Sequence, residues 1–183
     1  MSGHQVIPIP HPQLKVLSAA MNLRGPKGMC FHRAVALCLD LPGSSVVVGT
    51  LRAATPEEQV GHPERSKVPF IHAWVEFQDK LMAPTTIEQM GGLVFIRPQE
   101  YYQVNGARDI RRLPRSAVAN HVADQRVMRE LLYGIHPGIP GYLVGRLLDA
   151  VGVKYLVTPQ GGVIPMASAT EEDKKWSSSL LLP

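Results

Sequence analysis

From about position 30 the chain switches between two hydrophobic periods. Ala34, Leu37, Cys38 and Leu41 recur at spacings of three and four, which predicts a helix with one buried face. It opens at Gly28-Met29-Cys30 and is stopped by Leu41-Pro42-Gly43, since proline cannot continue a helix and glycine permits the turn. Ser45-Val46-Val47-Val48-Gly49-Thr50-Leu51 is β-branched and bounded by turn formers, and reads as a buried strand. Phe70 to Phe77 alternates, with His72, Trp74 and Glu76 on one face and Ile71, Ala73, Val75 and Phe77 on the other. A Gln78-Asp79 turn leads into Lys80-Leu81-Met82-Ala83 as a hairpin partner, and Pro84 ends the pairing.

Farther along, Leu93 to Ile96 is a short strand. Val118, Val122, Met128, Leu131, Leu132 and Ile135 predict a second substantial helix over Ser116 to Tyr133, with Ser116 as N-cap and Gly134 and Pro137 as terminators. Leu143, Val144, Leu147, Leu148 and Val151 predict a third over Gly141 to Val151, closed by Gly152, and Lys154 to Thr158 a last strand. Ala53 to Pro69 is polar and reads as a long exposed loop bordering any site. Tyr101 and Tyr102 read as packing residues. Met1 to Pro12 reads as an extended arm, Gln13 to Met21 as a short helix, and the chain beyond about 167 as a poorly ordered tail. The sum is one α+β domain spanning 1–183.

Composition narrows this picture. Sixteen glycines and 16 prolines in 183 residues imply many turns and exclude long helical bundles. The formal charge of +4 comes from dispersed residues, except around Arg108, Arg111, Arg112 and Arg115. That cluster reads as a solvated face, and nucleic-acid binding is disfavoured. Both cysteines fall on the first helix, eight positions and therefore about 12 Å apart, too far for a disulfide. Cys38 then reads as a small core residue and the usage as that of a reducing, cytoplasmic setting. The N-terminus has no basic-then-apolar pattern, and no apolar run is long enough to span a bilayer, so no membrane partner is expected.

Cys30 is the candidate for chemistry. In the first turn of a helix it sits among unpaired backbone N–H groups at the positive end of the dipole, which favours thiolate. His72, on a strand, is the candidate base and acid, provided that helix and strand pack together. His32 projects from a different side of the helix from Cys30, and His4, His11, His62, His121 and His136 lack metal-ligand spacing, so no metal and no cofactor is expected.

Gly28-Met29-Cys30 opening an apolar helix, a valine-rich strand reaching Val48-Gly49, and His72-Ala73-Trp74-Val75-Glu76 together resemble the transglutaminase-like branch of the papain-like cysteine enzymes. The nearest likeness is to small bacterial proteins that include the lasso-peptide leader peptidases, over roughly residues 20 to 86. The resemblance implies a papain-like core with the Cys30 helix on an antiparallel sheet, extra C-terminal helices, and a peptide or protein substrate. It makes Cys30 the nucleophile and His72 the general base and acid, with Trp74 a core or site-wall residue. Glu76 shares the face of His72 but lies about 13 Å along the strand, too far to orient the ring. The family's third residue, an acid just before Pro-Thr, is replaced by Ala83 before Pro84-Thr85. Asp79 or a backbone carbonyl could orient His72 instead, the pair could act as a dyad, or the scaffold could persist without the chemistry. Asn22 is a candidate oxyanion donor or a turn former, and the Cys30 N–H is the other donor. The implied function is thiol-dependent amide hydrolysis through an acyl-enzyme, of cysteine-peptidase or deamidase type. The alternatives are a transglutaminase-type acyltransferase and a non-catalytic binding protein on the same scaffold.

Overall fold

The computed structural model describes residues 30–61, 67–77, 80–82, 95–127, 129, 141–158 and 162–179. The arm, the short helix over 13–21, Asn22, Asp79 and Ala83 all lie outside the described residues. In chain order the elements are α1 (Cys30–Asp40), β1 (Ser45–Leu51), α2 (Pro56–Gly61), β2 (Phe70–Phe77), β3 (Lys80–Met82) and β4 (Phe95–Ile96). There follow α3 (Pro98–Asn105), β5 (Arg108–Pro114), α4 (Arg115–Val122), α5 (Tyr142–Ala150), β6 (Tyr155–Val157), β7 (Val163–Pro165), a 3₁₀ turn (Met166–Ser168) and α6 (Glu171–Ser179).

The protein is α+β. Its main sheet is antiparallel throughout, in the order β4-β3-β2-β1-β5, and β6 pairs with β7 in a separate hairpin. β1 lies inside the sheet, paired with β2 on one edge and β5 on the other, and both of its faces are apolar. Val46 and Val48 join the larger core with Ile71, Ala73 and Val75, under α1, α4 and α5. Val47 and Leu51 join a second cluster with Trp74 and Tyr101, which α3 supplies from the opposite side. The alternation expected along Phe70 to Phe77 is thus realised as a sheet with two buried faces.

Local chemistry sets the element ends. Gly43, at φ 83°, turns the chain out of α1, and the Leu41 carbonyl accepts both the Ser44 hydroxyl at 2.7 Å and the Ser44 N–H at 3.2 Å. Pro98 opens α3, and the left-handed Gly106 closes it. At the end of β1, Arg52 grips Glu58 of α2 through two 2.7 Å hydrogen bonds and reaches the Val104 carbonyl of α3.

Several expectations are corrected. The polar stretch 53–69 is not all loop: Thr55 and Glu58 form a reciprocal cap, Glu58 N–H to Thr55 Oγ1 and Thr55 N–H to Glu58 Oε2, that starts α2. The second long helix stops at Val122, where the chain breaks at Ala123 and Asp124, and Asp124 Oδ1 accepts the Arg126 N–H to start a new turn. The segment 98–114 forms a helix and an edge strand that the apolar pattern had not revealed. The expected disordered tail contains α6, capped by Thr170 and Asp173 with the same reciprocal bonds. Among the described residues, no helix is long and apolar enough to cross a membrane.

Candidate functional site

Cys30 is the first residue of α1, and this helix lies on the Ile71–Ala73–Val75 face of β2. β3 covers β2 only at Val75, Glu76 and Phe77, so among the described residues the far edge of β2 is open at His72 and Ala73. The Cys30 sulfur occupies this place. The backbone N–H of Ala73 is directed at it, together with those of Phe31 and Cys30 itself. The structure therefore brings the nucleophile candidate to the residue that follows His72.

The electrostatics overturn one expectation. Burial pushes the Cys30 thiol up from its ordinary value, and this outweighs the lowering pull of the three N–H groups and of Arg33. The helix-start argument counted the donors and missed the desolvation. His72 is moved the other way: it is 8% exposed, and burial pushes its imidazole down to about 4. Thiol and imidazole both rest neutral. Cys38 is fully buried, with its thiol raised by burial and the Ser44 hydroxyl 3.3 Å from the sulfur. Both cysteines are free, and the more exposed of the two is Cys30, as the helix phase required.

His72 stands in an aromatic row. Phe70 meets it edge-on at 6.0 Å, and Trp74 stacks on its other side at 6.2 Å with the planes 22° apart. Trp74 is fully buried and packs in turn on Tyr101 at 5.3 Å and Tyr102 at 6.1 Å. The two tyrosines thus pack as expected, on the tryptophan that stacks against His72. Burial, and then the charge of Cys30, push the Tyr101 phenol up, so it stays protonated. Sequence reasoning missed where Tyr101 packs. Its only signal was two adjacent tyrosines after Arg97-Pro98, which name no partner.

Glu76 is not on His72, as the strand spacing implied. One of its oxygens accepts the Trp74 indole N–H at 3.2 Å and the Tyr102 hydroxyl, and the other accepts Arg112 Nε at 3.0 Å. Arg112 also donates to the Tyr102 oxygen at 2.8 Å. One member of the basic cluster is therefore committed to this network, while Arg115 donates to the Leu39 carbonyl at 2.7 Å. Among the described residues, no three His, Cys, Asp or Glu side chains gather as metal ligands.

Compared with known protein families, with curated proteins and with solved structures, the chain matches none.

Proposed function

We propose that the protein is a thiol-dependent amide hydrolase or acyltransferase of the transglutaminase-like, papain-like kind, with Cys30 as nucleophile and His72 as base and acid. One observation carries the reading: the sulfur at the head of α1 is directed at by the backbone N–H next to His72 on β2. Because the pair rests neutral, the thiol proton passes to His72 as sulfur attacks the carbonyl. The tetrahedral oxyanion is met by the Cys30 N–H, with Tyr101 a second donor. The imidazolium then protonates the departing amine as the C–N bond breaks, leaving a thioester that water or an amine resolves to regenerate the thiol. A peptide or protein amide is the substrate class. Cytoplasmic action without metal or cofactor completes the reading.

The alternative is a binding protein that has kept the scaffold, and the neutral pair favours it. The fall of the imidazole from 6.5 to about 4 makes accepting the proton ~3 kcal/mol harder. An acid beside the ring would reverse that, and Ala83 stands where the resemblance puts one. Labelling the folded chain with iodoacetamide tests the choice, with Cys38 as internal control. An enzyme gives Cys30 labelling that is much faster than that of Cys38 and drops in His72→Gln. Ala83→Asp should raise it, and Asp79→Ala should lower it if Asp79 is the present orienter. Equal labelling of the two cysteines, indifferent to His72, would leave only the scaffold reading.

A further inference from the structure

Glu76 was set aside as an orienter because four residues of strand separate it from His72. The contacts reconnect them through the residue between. Trp74 donates its indole N–H to Glu76 Oε1, and its ring lies against the His72 imidazole. The indole lies against Gly49, where a Cβ would come within 2.7 Å of its Cη2 atom and 3.3 Å of its Cζ3. Gly49 is also the residue of β1 that pairs across from His72. Glycine there leaves room for the ring beside the histidine. Arg112, from β5, and Tyr102, from α3, fix the carboxylate at the other end.

We propose that Glu76 is a positioning residue for His72: it tethers the Trp74 indole in the Gly49 notch, and the indole holds the imidazole in place and shields it from water. The proposal rests on the reading of Cys30 and His72 as the reacting pair. It gives the Trp-x-Glu portion of the His72 strand a mechanical task, one that a packing tryptophan and a surface carboxylate would not share. Among the described residues, the titratable and charged groups gathered around this part of β2 include Cys30 and Arg33 from α1, Tyr101 and Tyr102 from α3, Arg112 from β5, and Glu76 itself. Gly49 of β1 contributes none.

The test uses the full chain carrying Trp176→Phe, so that Trp74 is the sole tryptophan and its emission reports on the stacked imidazole. A protonated imidazole quenches indole emission, so a downward pH titration shows a quenching step for His72, followed only where far-UV circular dichroism shows the fold intact. His72→Gln must abolish the step. With the tether in place the step falls near pH 4 or is absent down to the acid edge of the folded range. Glu76→Ala frees the indole, admits water to the ring, and moves the step up by about one pH unit or more toward the ordinary value. Glu76→Gln keeps an acceptor for the indole N–H and returns the step most of the way. Arg112→Met, at an exposed site that tolerates the change, produces a smaller shift of the same sign and serves if Glu76→Ala does not fold. A step that stays put in both Glu76→Ala and Arg112→Met overturns the proposal. So does a Glu76→Gln variant that shifts as far as Glu76→Ala, since the indole hydrogen bond would then be irrelevant. Cys30 labelling that ignores His72 would sink the thiol chemistry alone, because the emission step is read without any reaction.

Discussion

Alternate residues of β2 enter two interiors that are differently made. Ile71, Ala73 and Val75 lie under α1, in an apolar cluster that includes Phe31, Leu143, Leu147 and Leu148. His72, Trp74 and Glu76 meet α3 and β5 through stacked rings and a carboxylate with three donors. Burial of apolar area tolerates imprecision and supplies most of the stability. A buried polar row does the opposite: it contributes little net energy, and each member depends on its partner's position. The candidate nucleophile stands where α1, which belongs to the first face, reaches the strand residue next to the histidine of the second.

The comparison breaks most visibly on the apolar side. Leu147 is fully buried in the larger cluster, and Leu147→Ala should cost about 2–5 kcal/mol by urea unfolding, yet leave Cys30 labelling of the folded state unchanged. A large change in labelling without a change in stability would show that the two faces are not separable.

Acid should act through the other face. Unfolded, His72 takes a proton near 6.5; folded, it resists protonation until about 4. Its contribution is therefore fully present above pH 6.5 and is lost as pH falls through 4, by up to ~3 kcal/mol. The wild type should lose that much more stability than His72→Gln between neutral pH and pH 4, measured as the difference between their urea midpoints times slope. Parallel curves would mean that His72 is hydrated.

Gly49 sharpens the contrast at its seam. A methyl group there meets the indole edge at 2.7 Å and the Arg108 carbonyl oxygen at 3.3 Å, so Gly49→Ala should cost about 1–3 kcal/mol by overpacking and shift Trp74 emission. A variant of wild-type stability with unaltered emission would remove the notch from the argument.

The same contrast explains what could be read from the sequence. β1, β2 and the phase of α1 were legible because apolar residues mark the period: Cys38 fell inside and Cys30 near the surface, as three-and-four spacing requires. β5 was not legible. Arg108-Asp109-Ile110-Arg111-Arg112-Leu113-Pro114 is an edge strand with Leu113 its one buried side chain, a register shift opposite Val48 to Thr50 and Asp109 at φ 54°, so neither hydrophobic period survives. α6 is polar apart from Trp176 and announces itself only by its Thr170–Asp173 cap. The interruption of the helix expected over Ser116 to Tyr133 was not legible because apolar spacing runs straight through the break at Ala123-Asp124. At the site, the positions of Cys30 and His72 were legible, and their charge states were not. The donors at a helix start are visible in sequence, whereas the desolvation that overrides them depends on what β2 and its neighbours exclude.

The smallest expected effect concerns the outer end of the polar row. Arg112 joins Glu76 at 3.0 Å, but its side chain is 51% exposed against 12% for Glu76. Water screens the guanidinium, and the carboxylate keeps Trp74 and Tyr102 as donors when the arginine is gone. A double-mutant cycle of Arg112→Met and Glu76→Gln should therefore give a coupling of about 1 kcal/mol or less, shrinking as salt is added. The value matters less than the pattern. A small, salt-sensitive coupling combined with a clear shift of the Trp74 emission step in Arg112→Met would mean that the arginine aims the carboxylate without holding the fold together. A coupling well above ~2 kcal/mol that is indifferent to salt would instead identify the pair as a buried stabilising unit, and the second face would then be no different in kind from the first.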